Sequence, residues 1–531
     1  MPDEVATQEE KIKSAEELSQ HQKAISISEF FEKNRHLLGY DNKTKALMII
    51  VKEGVDNSLD ACEEARILPD ITVKIEELEK EKYKIIIKDN GPGIVKKQIP
   101  KIFGTLLYGS KFHRLRQSRG QQGLGISCGV LYSQLTTGEA TEIASSTGKE
   151  EIHKYTLKID VKKNEPVILN EKSEANPHKW RGTRISFVAE GIYREHKQSV
   201  LEYLKETAIS NPFANFIFES PSGKLEFRRG VEKLPIIPKE IKPHLYGVEV
   251  GLFTRMLNET SARSISGFLT TEFSRIGATT ATEILKKAQI DPKISPRRTT
   301  DENIVNIVKA VKEVKLSKPP TDCLSPLGEK AITKGLQKEL SPDFVASVTR
   351  SPAVYRGWPF QIEVGIAFGG TIAEANFMRF ANRVPLLYQQ GSCALTRSAA
   401  SVDWKRYGLD ADKLPKGPIV LMVHICSVWV PFTSESKEAV ASYPIIVKET
   451  KLAFQDAARK LSLYLSGIRR AERIAERKRI FERYAIETAR ALQELTGEDE
   501  KKIKGMIATV VEKRWGEVVD SPSGNGPTDG D

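Results

Sequence analysis

Between residues 53 and 183, four polar or glycine-bearing boxes interrupt stretches that are otherwise strongly apolar, and any fold must find a place for them. The first lies in KALMIIVKEGVDNSLDACEEA, whose apolar spacing predicts a helix. Glu53 and Asn57 are four residues apart and share a face, with Asp56 on another. A core-facing helix has no use for Glu and Asn on its buried stripe unless something is bound there. By spacing alone, a solvent-facing pair is the simpler account. In the second box, KDNGPGI, the apolar strand YKIIIKDN runs into Asp89, and Gly91 and Gly93 let the backbone turn close to a ligand. An Asp at a strand end can accept a hydrogen bond from an exocyclic amine, but an ordinary β-turn explains these residues equally well. The third box, SRGQQGLGIS (118–127), packs Gly120, Gly123 and Gly125 into six positions and opens the apolar helical run ISCGVLYSQ. It is neither GxGxxG nor GxxxxGK[ST]. Exposed amides at a glycine-rich helix start bind anions, helped by the helix dipole. Ser110, Lys111 and Arg119 flank this loop. The fourth, RGTRISF, puts Gly182 and Thr183 at the start of a strand. Taken singly, each box is weak.

A chain of 531 residues exceeds what one core organises and predicts three or more domains. Hydrophobic and charged fractions of 40% and 28% fit a soluble globular protein. No apolar run approaches the roughly 20 residues that cross a bilayer, and the acidic, polar start MPDEVATQEEKIKSAEEL does not read as a signal peptide. The expectation is a cytoplasmic protein with no membrane partner. Five scattered cysteines without a CxxC pair, and eight histidines without ligand spacing, point to buried reduced thiols rather than a disulfide framework or zinc site. The formal charge of +11 suits a polyanionic partner, although a Lys- and Glu-rich surface can carry it without one.

The pattern along the chain divides it. Residues 1–25 form a polar arm. From 26 to 238 helices and strands alternate, predicting a two-layer α/β sandwich that ends in the proline-rich VEKLPIIPKEIKPH. Strand character is lost over 239–318, where SARSISGFLTTEFSRIGATTATEILKKAQ predicts two short helices about the turn RIGATT, followed by DENIVNIVKAVKEV. From 319 to 495 the pattern is α/β again, with strands FQIEVGIAFG and PIVLMVHICSVWV and one long helix from about 445. That helix carries Leu461, Leu465, Ile468 and Ile474, then Phe481 and Tyr484 in a charge-dense half; a helix this long must dock somewhere, and a partner subunit is a reasonable place. Residues 496–531 form an extension whose end, SPSGNGPTDGD, has the composition of disorder.

In their order, E-x-x-x-N, D-x-G-x-G, G-x-x-G-x-G and G-T, the boxes resemble the Bergerat (GHKL) ATP-binding fold shared by gyrase, heat-shock chaperones, histidine kinases and mismatch-repair MutL proteins. The resemblance implies ATP and Mg²⁺ as ligands. Glu53 is then the general base for the attacking water, and Asn57 the Mg²⁺ ligand, whose amide oxygen suits a hard cation. Asp89, with Gly91 and Gly93 beside it, reads the adenine amino group, and Thr183 supports that end of the pocket. Ser110, Lys111 and the backbone of Arg119, Gly120, Gln121, Gln122, Gly123, Leu124, Gly125 and Ile126 cover the phosphates. Such parts suffice, because phosphoryl transfer is mainly positioning and charge neutralisation.

The remainder of the chain narrows the family. There is no phosphoacceptor-histidine helix. NFMRFANRVPL (376–386) resembles the ribosomal-S5-like transducer domain of gyrase and MutL relatives, and VPFTSESKEAVA presents Lys437 where those relatives carry a lysine to the γ-phosphate. RIGATTATEIL, with Gly277 in its turn, resembles a helix–two-turns–helix module. Together with DWKRYGLD and TSESKEA, the chain resembles the B subunits of archaeal-type DNA topoisomerase VI over nearly its whole length. The resemblance implies an α+β multidomain protein that dimerises with ATP, clamps duplex DNA and works with an A-type subunit as an A₂B₂ heterotetramer. It also implies that the A-type partner cuts the strands, while the assembly relaxes and decatenates DNA. The alternatives are another GHKL clamp ATPase, of mismatch-repair or chaperone type, or a DNA-binding accessory protein that uses nucleotide without turnover. Gly54 departs from the pattern, since relatives carry a bulkier residue after the glutamate and an interior helical glycine costs up to about 1 kcal/mol against alanine.

Overall fold

The computed structural model describes residues 25–109, 114–120, 123–195, 197–434 and 436–515. The expectations for Ser110, Lys111, Gln121 and Gln122, for nearly all of the N-terminal arm and for the last residues of the tail lie outside these.

The first sheet has eight strands in the order β5-β4-β3-β6-β2-β1-β7-β8. They are β1 (Asp70–Glu79), β2 (Lys82–Lys88), β3 (Thr141–Thr147), β4 (Glu151–Asp160), β5 (Glu165–Ala175), β6 (Arg181–Glu190), β7 (Asn215–Ser220) and β8 (Gly223–Phe227). Its pairs are antiparallel except β1 with β7. Alternation fixes which face is covered. Ile71, Val73 and Ile75 of β1 are buried, as are Tyr83, Ile85 and Ile87 of β2, and the register sets Val73 opposite Ile87 and Ile75 opposite Ile85. The second layer includes three longer helices, α1 (Lys43–Glu64), α2 (Gly125–Thr137) and α3 (Val200–Ser210). The side chain of Asn42 caps α1 by accepting the Thr44 N–H at 2.8 Å. Leu47, Ile50, Val55 and Leu59 anchor α1 to the core, each burial contributing roughly 1.5–3 kcal/mol.

Gly54 is explained by this packing. A Cβ there would stand 2.2 Å from Cδ1 of Ile87, so the missing side chain is what lets α1 lie close to β2.

After an irregular segment, four helices make a separate core: α4 (Val250–Glu259), α5 (Ile265–Glu272), α6 (Ala278–Lys287) and α7 (Asp301–Glu313). Ser264 and Thr300 cap α5 and α7 through their hydroxyls, and Gly277 is the N-cap of α6. The first of these helices, α4, has no counterpart in the pattern read from sequence.

The second sheet comprises β9 (Phe344–Thr349), β10 (Ala353–Tyr355), β11 (Trp358–Phe368), β12 (Asn376–Ala381), β13 (Val384–Pro385) and β14 (Ile419–Ser427). Its order is β10-β11-β14-β12-β13, with β9 also on β11. Every residue of β14 is buried, as befits a central strand covered on both faces. One face is covered by α8 (Glu329–Leu340) and meets Ile209 of α3. The other is covered by the start of α9 (Pro444–Thr496), through Phe454, Leu461 and Leu465. Trp404, from the DWKRYGLD stretch, is fully buried there, edge-on to Phe454. Beyond Leu465 the 53-residue α9 leaves this core; at about 1.5 Å per residue its whole length is about 80 Å. A last helix, α10 (Glu500–Trp515), packs back against it, burying Ala489, Ile503 and Val511. No helix among the described residues is long and apolar enough to cross a membrane.

Candidate active site

Where α1, α2 and the ends of β2 and β6 meet, they enclose a cavity of about 660 Å³. Glu53, Asn57, Asp89, Gly93, Gly120, Gly123, Leu124, Gly125, Ile126, Thr183 and Lys437 all line it, although they span 385 positions of sequence (from 53 to 437). Asn57 is the one exposed residue in the run 54–60, which is otherwise buried. Its amide therefore opens into the cavity from the middle of a packed helix.

Asp89 closes one end of the cavity. Its Oδ1 accepts the backbone N–H groups of Gly91 (2.9 Å) and Thr183 (3.1 Å), and its Oδ2 accepts the Ser58 hydroxyl at 3.0 Å. Burial raises its carboxyl above the ordinary aspartate range, and these hydrogen bonds oppose the rise. Two glycines permit the approach. A Cβ on Gly182 would stand 2.1 Å from the Asp89 carbonyl oxygen, and one on Gly93, at φ 73°, 2.0 Å from that of Ser146. Gly91 itself is not on the cavity wall; it holds Asp89. The Thr183 hydroxyl lies 3.1 Å from that of Ser145, so Thr183 meets Asp89 through its backbone.

Glu53 faces the start of α2. A Cβ on Gly125 would stand 1.8 Å from its Oε2, so only glycine leaves the carboxylate its place. The first turn of α2 has no side-chain cap at Leu124, which leaves backbone N–H groups directed at the cavity, a ready anion site. On the other side, Lys52 bridges Glu53 (2.8 Å) and Asp56 (3.2 Å), and the Tyr203 hydroxyl bonds Asp56 at 3.0 Å. Burial alone would raise the Glu53 carboxyl. The ammonium groups of Lys52 and Lys437 outweigh it and hold Glu53 below the usual glutamate range.

Lys437 arrives from the second sheet, on the loop after β14, with φ 54°. Its neighbour Glu438 is buried and paired with Lys45 of α1 at 2.5 Å, and the Lys45 ammonium also lies over the Tyr388 ring. This pair fastens the loop to the helix that carries Glu53.

Arg119 is not at the cavity. Its guanidinium is buried against Asp60 (2.7 Å), Glu63 and Asn211, because two carboxylates at the far end of α1 attract it away from the glycine loop it precedes. Sequence reading missed Lys52, Ser58, Tyr40 and Glu438. The first two flank Glu53 and Asn57 directly and were legible as polar residues inside an apolar helix. Tyr40 lines the cavity with a buried hydroxyl that has no partner among the described residues, and nothing in its local sequence marks it.

The family model for histidine kinase-, DNA gyrase B- and HSP90-like ATPases matches residues 42–173, and that for the topoisomerase VI B subunit transducer matches residues 319–478. The chain is 47% identical over 507 residues to the B subunit of type 2 DNA topoisomerase 6 from Methanococcoides burtonii, covering 94% of this chain and 81% of that one. It is 48% identical over 458 residues to the protein of that name from Archaeoglobus fulgidus (84% and 75% covered). To that of Pyrococcus abyssi it is 42% identical over 548 aligned positions (94% and 97% covered).

Proposed function

The chain belongs to the family of type 2 DNA topoisomerase 6 B subunits, and from that membership we propose that the cavity over α1 is where ATP is bound and hydrolysed to drive strand passage. The protein is the ATPase subunit of a type IIB topoisomerase, an isomerase of DNA, built as a GHKL ATPase joined to a transducer. One observation carries the assignment of the site: residues from four distant boxes and Lys437 line a single cavity.

In this reading Asp89 accepts the adenine amino group, with Ser58, Gly91 and Thr183 fixing the carboxylate. The backbone of the glycine loop and the N-terminus of α2 receive the phosphates. Glu53, ionised at neutral pH, takes a proton from water as the water oxygen attacks the γ-phosphorus and the bond to the departing ADP breaks. Lys437 supplies a point charge at the γ-phosphate, a contact that is lost when phosphate leaves. The exposed Asn57 amide, beside the uncapped start of α2, suits a magnesium ion, which when bound would neutralise phosphate charge. Two such chains close together on ATP around a DNA duplex, and an A-type subunit, in an A₂B₂ assembly, makes the double-strand break.

The decisive experiment is Glu53→Ala. Nucleotide should still bind, with ATP turnover reduced about 10²–10⁴-fold, the usual range for loss of a general base. Retained turnover would remove Glu53 from the chemistry, and loss of nucleotide binding by the unsubstituted chain in calorimetry would remove the cavity assignment.

A further inference from the structure

The turn between β12 and β13 is built from two residues that rarely take its backbone conformation. Asn382 has φ 49° and Arg383 has φ 68°. Tight hairpins of this kind usually place glycine second, and side chains persist there only where their surroundings over-determine them. Here they do. The Asn382 amide donates to the carbonyls of Ser118 (3.0 Å) and Ser427 (2.9 Å), while its oxygen accepts the Ser427 N–H at 2.9 Å. The Arg383 guanidinium bonds Glu63 at 2.8 Å and the Ser325 carbonyl at 2.8 Å. Its backbone N–H donates to His424 Nε2 at 2.9 Å, which leaves the His424 proton on Nδ1, facing Glu363 at 2.8 Å.

These contacts point two ways. Ser118 directly precedes Arg119 and the glycine loop, and Glu63, shared with Arg119, lies at the end of the helix that bears Glu53 and Asn57. Ser427 and His424 belong to β14, the strand that leads to Lys437. Glu363 in turn accepts the N–H groups of Leu327 and Gly328, at the start of α8. His424, Glu363 and Cys426 lie close enough to suggest a metal site, but both ring nitrogens of His424 are already engaged in this chain of bonds.

We propose that Asn382 and Arg383 are positioning residues for ATP turnover: the turn fixes the root of the glycine loop and the far end of α1 to the strand that delivers Lys437, keeping the two halves of the phosphate site in register. The inference rests on the cavity being the ATP site. Neither residue lines that cavity, so each acts through the elements it ties.

Asn382→Gly tests it, because glycine accepts the turn's backbone and removes only the amide. In the full chain, the KM for ATP and the dissociation constant of a non-hydrolysable ATP analogue should each rise about tenfold, the scale of the one lost bond that reaches the glycine loop, from Asn382 to the Ser118 carbonyl. The melting temperature should stay close to that of the unsubstituted chain, and amide exchange at residues 117–120 should quicken. Arg383→Lys, which keeps a cation facing Glu63 but loses the fork to Ser325, should show a smaller rise. An unchanged KM and dissociation constant in Asn382→Gly would overturn the proposal. So would a rise that merely tracks partial unfolding at the assay temperature. Absence of ATP turnover by the unsubstituted chain would be a different failure, bringing down the cavity assignment first and this inference with it.

Discussion

Lys52 stands beside the carboxylate assigned to accept a proton, and the two share a neighbour in Asp56. Burial pushes Glu53 towards its protonated form, and the neighbouring cations reverse that balance. A base already ionised at neutral pH loses activity only as pH falls through its lowered value, and the stability its ionised form contributes is lost over the same window. Lys52→Met removes the nearest of those cations and leaves burial opposed mainly by Lys437. The Glu53 carboxyl then rises, and the acid limb of the kcat–pH profile moves to higher pH. ATP turnover near about pH 6 should fall several-fold relative to that near about pH 8. A profile superimposable on that of the unsubstituted chain would show that Lys52 does not tune Glu53. Asp56 keeps the Tyr203 hydroxyl in the variant, so the site is not stripped of polar partners.

At the scale of elements, helix and sheet meet closely at Gly54, where α1 crosses β2 with no room for a methyl group. Gly54→Ala gains helix propensity, up to about 1 kcal/mol, but forces a carbon against Ile87 inside a filled core, which typically costs about 1–3 kcal/mol. The melting temperature should drop, and Gly54→Ala combined with Ile87→Val, which deletes the clashing Cδ1, should recover most of the loss. Failure of the double variant to recover would mean that the helix cannot approach β2 for another reason. The sequence marked Gly54 only as a departure, since its cause lies 33 residues away. The same limit explains the other gaps. The apolar rhythm of β2 and α1 was legible because each element's own period reports its buried face. The choice of Arg119 for Asp60 and Glu63 over the cavity was not, being a contact across 56 or more residues that no local pattern encodes. Likewise the boxes around Glu53, Asp89 and Gly125 could be read as candidates, while the Ser58 hydroxyl on Asp89 and the Glu438 carboxylate on Lys45 depend on how α1 is turned in the finished fold.

For the molecule as a whole, the proposed function requires an event at Glu53 to reach the far end of α9. The links on the near side are short: Lys437 on the cavity wall, Glu438 on Lys45, and β14 packed beneath α9 through Phe454 and Leu461. Past Leu465 the Arg469 guanidinium bonds the Gly408 carbonyl, and α10 covers the far part of α9, where Ala489 is buried. In the proposed function the exposed stretch of α9 just past Arg469 carries any rotation of the transducer, which it can do only while its backbone hydrogen bonds run unbroken. Inserting four glycines after Ala475 interrupts that ladder in a stretch where almost every side chain is exposed, so the ATPase and transducer cores should fold as before. ATP turnover should remain within about twofold of the parent, because nothing lining the cavity has changed, whereas relaxation of supercoiled plasmid with the A-type subunit should fall at least about tenfold. Relaxation that survives the insertion at the parent's rate would mean that force does not travel along α9, and that the two subunits communicate through a surface nearer the ATP site.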